Sequence, residues 1–236
     1  MTDYGRMQGN LMSALHLERP PVAIAFRDEA PAGVERLAGA QPSSCSFWRL
    51  AADGRTFDTV PDDHHNCPIG SYTLNIPLPP AREPELMQTL SLMSDIGYMR
   101  MEDVPDVPRL ARTPNVLIYS PLGDAPVPPD AVLISGKPGQ MMLVQEAAAR
   151  AQQPSSPMLG RPTCMAIPAA VNNASVVSSL GCVGNRVYTG LSDDAFYAVV
   201  SGAALESIVA QLGTILAANA TLAAYHTVRR REIAAV

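Results

Sequence analysis

The stretch NVLIYSPLGDAPVPPDAVLIS (Asn115 to Ser135) decides the fold class. NVLIYS and DAVLIS are continuous apolar runs of strand length. Such runs belong to strands buried on both faces. The connecting PLGDAPVPPD holds four prolines and is too interrupted for regular structure. A sheet covered on both faces needs helices, and the flanking sequence supplies them. Residues 4–17 read as a helix, and RPPVAIAF (19–26) as a short buried strand behind a proline stop. PAGVERLAG (31–39) reads as a short helix. CSFWRLAADG (45–54) puts Phe47, Leu50 and Ala51 on one side of a helical turn that closes on Gly54.

Further along, RTFDTV (55–60) alternates like a strand. EPELMQTLSLMSDIGY (83–98) carries Leu86, Leu90 and Met93 at helical spacing, with Gly97 as a stop. Residues 103–114, with three prolines, read as a loop. KPGQMMLVQEAAARAQQ (137–153) becomes a helix, and FYAVVSG (196–202) is a last strand before a long C-terminal helix. The expectation is an α/β or α+β fold, a mixed sheet flanked by helices, in one domain over residues 1–236. CSFW and CPIGSYTL in one half, with CMAI and CVGNRVYTGL in the other, suggest a two-half pseudo-repeat, 1–113 and 114–236.

Composition narrows the function classes. With 47% apolar and 17% charged residues, 236 residues bury a core without disulfides. Net charge is −5, and no basic block precedes Arg229 to Arg231. Together with 5% aromatics, this argues against a nucleic-acid partner. The N-terminus lacks a basic region followed by an apolar core, so no signal peptide is expected. Ser207 to Val228 is free of charge, but Gln211, Thr214, Asn219 and Thr221 interrupt it. Its larger aliphatics fall mainly on one helical face, so a buried amphipathic helix is expected rather than a membrane span. The reading is a soluble cytoplasmic protein whose thiols stay reduced.

Four cysteines stand out: Cys45 in CSFW, Cys67 in HHNCPIG, Cys164 after GRPT, and Cys182 in LGCVGNR. Glycine and proline nearby allow turns whose backbone N–H groups point at a sulfur. That is what a thiolate ligand needs. The residues alone leave a second reading open, because free cysteines often serve as small buried hydrophobes. No C-x-x-C pair marks a zinc ribbon or a ferredoxin.

CSFWRLA, HNCPIGSYTLNI, GRPTC and SLGCVGNRVYTGL, with RPPVAIAF and PDAVLIS, resemble the prokaryotic domain of unknown function family 169. The resemblance runs from about Leu15 to Leu212. The family pattern has cysteines at the positions of Cys45, Cys67, Cys164 and Cys182. A glycine soon after Cys67, and Gly184 and Arg186 after Cys182, match as well. The resemblance implies a shared cofactor site on these residues and no particular reaction. Four thiolates fit an iron–sulfur cluster of the 4Fe-4S type, and they also fit zinc. Haem on Cys67 or a neighbouring histidine is the alternative. His64 and His65 are the alternative metal ligands, and otherwise form a solvated polar loop.

A Cys67–His65 nucleophile is a weaker candidate, because sequence adjacency does not orient an imidazole onto the sulfur. Arg161 and Arg186 are candidates to neutralise an anionic cluster or to bind a substrate carboxylate. The expectation is a cofactor protein, a possible oxidoreductase with a small-molecule substrate or a redox partner. A binding or scaffold module with buried free cysteines is the reading from a different class.

Overall fold

The two apolar runs do not pair with each other. Both pair with a third strand laid between them. Residues 2–37, 39–159 and 161–234 are described by the computed structural model, apart from the side chains of 157–159. The elements are α1 (Tyr4–Leu15), β1 (Val22–Arg27), α2 (Ser44–Ala52), β2 (Phe57–Thr59), α3 (Pro68–Thr73), α4 (Glu83–Asp95), β3 (Val116–Pro121) and β4 (Ala131–Gly136). They continue with α5 (Pro138–Arg150), β5 (Ser155–Leu159), α6 (Ala166–Asn172), β6 (Val176–Ser179), α7 (Val183–Thr189), β7 (Phe196–Ser201) and α8 (Gly202–Ala234).

The strands form one seven-stranded sheet in the order β2-β3-β1-β4-β7-β6-β5. Only β5 and β6 run parallel; all other neighbours are antiparallel. This is the expected mixed sheet with flanking helices, of the α+β kind. The prolines of 121–130 carry the chain over the end of β1, so β3 and β4 flank it.

Both sheet faces are covered, which is why the strands carry no polar alternation. On one face Ile24, Phe26, Leu117, Tyr119 and Val199 pack under Phe47 and Trp48 of α2 and Ile167 of α6. On the other, Ala23, Val132, Ile134 and Val200 pack under α1, α5 and the start of α8. Gly202 makes the turn from β7 into α8 possible. Its N–H bonds the Asp130 carbonyl at 2.8 Å, and a Cβ there would collide with the Pro129 carbonyl.

Some expectations need correction. Residues 31–37 form no helix: Gly33 adopts φ +83°, and Arg36 makes an isolated bridge to Asp58. Its guanidinium pairs with Asp63 at 2.7 Å and Asp58 at 3.7 Å, which holds that segment extended. The loop after α4 opens with a 3-10 turn, Met101–Asp106. β5 has no counterpart in the sequence reading, since Pro154 stands just before it and Pro157 falls within it; an edge strand tolerates proline.

α8 is the largest departure. Only Ala204, Leu205, Ile208 and Leu212 are buried, and Leu222, Tyr225 and Val228 are more than half exposed. α5, its main neighbour, has 13 residues and covers about 20 Å. α8 has 33 and extends about 50 Å, so its distal half outruns its partner. Among the described residues it is the one helix long and apolar enough to cross a membrane.

This division is measurable. Ile208→Ala should destabilise the protein by about 2–5 kcal/mol through a buried cavity. Leu222→Ala should change stability by less than about 0.5 kcal/mol. Urea midpoints of the two variants decide it, and equal large losses would mean that the distal helix is packed in solution.

Candidate functional site

The four cysteines stand at four helix starts on the face that carries α2, α3, α6 and α7. Cys45 is the second residue of α2. Cys164 lies in the 3-10 turn Thr163–Met165 that runs into α6. Cys67 and Cys182 are the N-cap residues of α3 and α7. The local reason is visible in CPIG. Pro68 occupies the first helical position, where no backbone donor is needed, and the Cys67 sulfur accepts the Gly70 N–H at 3.3 Å. The Cys182 sulfur likewise accepts the Asn185 N–H at 3.4 Å. Gly70 has to lack a side chain: a Cβ would collide with Ser44 Oγ and stand 3.0 Å from Cys67 Sγ. The Thr163 hydroxyl accepts the Cys182 N–H, tying the fourth cysteine to the turn of the third.

All four cysteines border one cavity of about 490 Å³. Cys45 and Cys164 are buried; Cys67 and Cys182 are half-buried. Burial pushes the Cys45 thiol up to about 12, against a lowering contribution from the Asn185 amide; Cys67 and Cys182 raise it further. Burial also raises Cys164 strongly, with added repulsion from Cys45, Cys67 and Cys182. Each buried thiol therefore feels both half-buried cysteines. Among the described residues, no three Cys, His, Asp or Glu side chains gather tightly enough to hold a single metal ion.

Asn185 is the residue that sequence reading missed. It is 1% exposed and borders the cavity; neither Oδ1 nor Nδ2 makes a hydrogen bond of full geometry among the described residues, although the amide lies within reach of the Cys45 thiol and Tyr197. A buried amide left unpaired costs about 1–3 kcal/mol. The signal was present in LGCVGNR, because Asn185 holds the same place after Cys182 as Gly70 holds after Cys67.

The part of the lining supplied by α4 and the segment after it is mostly apolar. Leu86, Leu90 and Met93 come from α4, and Val104 and Val107 from the segment after it. This wall is tied to the Cys67 side at several points. Arg82 bonds Asn66 Oδ1 at 2.6 Å, the Tyr72 hydroxyl donates to the Val104 carbonyl at 3.3 Å, and Arg109 stacks on the Tyr72 ring at 4.5 Å.

The other sequence candidates are distributed as follows. Gly184 borders the cavity. Arg186 does not; its guanidinium donates to the carbonyls of Leu180, Ser192 and Ala195 and so clips the loop around α7. Gly160 of the GRPT motif lies outside the described residues, while Arg161 borders the cavity. Neither His64 nor His65 lines it. His65 stands 3.9 Å from Asp62. His64 is fully buried, with its ring 4.7 Å from that of Phe47. The Thr59 hydroxyl donates to the Leu117 carbonyl and accepts from His64 Nε2 at 3.0 Å. That assigns the Nε2–H tautomer, with the Ser44 hydroxyl donating to Nδ1 at 3.2 Å.

The model of domain of unknown function family 169, described as Uncharacterised ArCR, matches residues 10–211. The chain belongs to this family. No curated protein and no solved structure matches it. The family span takes in all four cysteines, Asn185 and both walls of the cavity. It stops at 211, next to the last buried residue of α8, Leu212.

Burial drives the His64 pKa down to about 3. An unfolded imidazole titrates near 6.5. Between those values the unfolded chain binds a proton that the folded chain refuses. This contribution to stability is therefore full above about pH 6.5 and declines as the pH falls towards 3. At pH 5 the loss is about 2 kcal/mol relative to pH 7.5. In cofactor-free protein, His64→Gln should flatten the slope of unfolding free energy against pH over this range. Identical slopes in the two proteins would show that His64 is not held neutral.

Proposed function

We propose that the protein holds one iron–sulfur cluster, of the 4Fe-4S type, on Cys45, Cys67, Cys164 and Cys182. The single observation that carries the proposal is the ring of four cysteines around one cavity. In a cubane each thiolate binds its own iron, so the sulfurs stand apart around a volume. A lone zinc ion would draw four sulfurs to about 2.3 Å from one point, whereas a cubane takes one thiolate on each of four irons. Hydrogen bonds to two of the sulfurs, from Gly70 and Asn185, favour thiolate and set the potential of a bound cluster.

The residues fit the group. Cys45 and Cys164 are too buried to ionise unaided, and iron would supply the positive charge that reverses this. Asn185 would complete its amide against a cysteine or cluster sulfur. When bound, the cluster would supply one-electron chemistry; the chain supplies the thiolates, excludes water with the α4 wall, and leaves the Cys67–Cys182 edge half-open. Two half-exposed cysteines that accept backbone N–H bonds are poorly explained as core filler, which weakens the scaffold reading. The haem reading keeps only Cys67 as an axial ligand, since both histidines stand off the cavity. Four free thiols fit a reducing compartment.

Protein purified without oxygen should show a broad violet-region absorption band, with about four iron and four sulfide per chain. Serine at any of the four cysteine positions should reduce both contents, and His64→Ala should retain most of them. A sharp Soret band would replace this reading with haem. A colourless protein that takes up neither iron nor sulfide on anaerobic reconstitution would end it.

A further inference from the structure

Four cysteine arms occupy one wall of the cavity and leave the other unexplained. The total, about 490 Å³, lies within the range of pockets that enclose small organic molecules. The far wall is built from Leu86, Leu90, Met93, Val104 and Val107, which offer nothing to an inorganic cluster. Among the described residues, two charged side chains border the space, Asp103 and Arg161. Asp103 is held first by Arg100, which takes both of its oxygens at 2.6 and 3.1 Å, and it feels the Arg161 charge as well. Arg161 makes no ion pair and no hydrogen bond among the described residues. It lies over the Tyr98 ring, 4.1 Å from the centroid, and that stacking holds the guanidinium at the rim. An apolar chamber with a pre-positioned guanidinium, whose one acidic neighbour on the cavity is already bound by Arg100, selects for an anionic head on an apolar body. A guanidinium fork matches a carboxylate best.

We infer that the cavity binds a small monocarboxylate with an aliphatic or aromatic body, its carboxylate on Arg161 and its body against the α4 wall, beside the cysteine-held centre. The inference deepens the iron–sulfur reading and rests on it only for what lies at the sulfur wall. Arg161 acts on the ligand and is not a ligand of the centre. The rival role for the same residue is neutralisation of the cluster's charge, and the two roles differ in what the loss of Arg161 removes.

The experiment uses full-length protein prepared without oxygen, with its iron and sulfide content measured first. Hexanoate, phenylacetate and the uncharged control 1-hexanol are titrated by calorimetry into wild type, Arg161→Gln and Arg161→Lys. Wild type should bind both carboxylates saturably. Arg161→Gln should weaken carboxylate binding about tenfold or more, the scale of one lost charge-assisted contact. It should leave 1-hexanol binding and iron content unchanged, and Arg161→Lys should recover part of the carboxylate affinity. Carboxylate affinity unchanged in Arg161→Gln, or no saturable carboxylate binding to iron-loaded wild type, overturns the inference. Loss of iron in Arg161→Gln also overturns it and assigns the residue to the centre. Wild type that takes up neither iron nor sulfide on anaerobic reconstitution, yet binds carboxylates through Arg161, overturns the cluster reading and supports the pocket.

Discussion

The packing of α2 against α7 on one face of the sheet is the contact on which the rest of the site depends. It joins an early segment of the chain to a late one. Arg49 closes it by donating to the Thr189 carbonyl at 2.8 Å, and Trp48 meets Tyr197 edge-on at 5.8 Å beneath it. Cys45 rides on α2 and Cys182 on α7, so this one contact sets their separation. It also brings Asn185 beside the Cys45 thiol. α3 and the turn before α6 then follow: α3 packs on Ser44 through Gly70, and Thr163 bonds the backbone of Cys182. The cavity is what remains between four helix starts that cannot come closer.

That gap has an energetic cost. Burial and the neighbouring cysteines raise both buried thiols, and the buried Asn185 amide lacks a hydrogen bond of full geometry among the described residues. The core below offsets it. Phe47, Phe57 and Tyr119 form a continuous aromatic group with ring centroids 5.5–6.2 Å apart, and His64 is held among them. Aromatic pairs of this kind contribute about 0.5–1.5 kcal/mol each beyond their buried area. The arrangement keeps local strain at the site and rigidity underneath it, a distribution expected of a binding centre.

Much of the fold was legible, for a physical reason. Strands covered on both faces need no polar residues, so β3 and β4 announce themselves as unbroken apolar runs. Strand order was not legible, because nothing in either run says that β1 will lie between them. α8 misled because its apolar spacing continues past the end of α5, and spacing alone cannot tell how far a partner extends. At the site, the cysteines were legible as four Gly- or Pro-flanked positions. The histidines misled by adjacency: the turn at residues 61–64 rotates His64 into the aromatic core, three residues before Cys67. α4 reads identically as core helix or cavity wall, since both want leucine and methionine at helical spacing.

The central claim is that four thiolates from two distant parts of the chain bind one polynuclear centre. Iron K-edge X-ray absorption on anaerobically reconstituted protein tests it most directly. The account predicts a first shell of sulfur alone at about 2.3 Å, followed by a distinct iron–iron shell. A sulfur shell with no iron neighbour, or a first shell of nitrogen or oxygen, would contradict it.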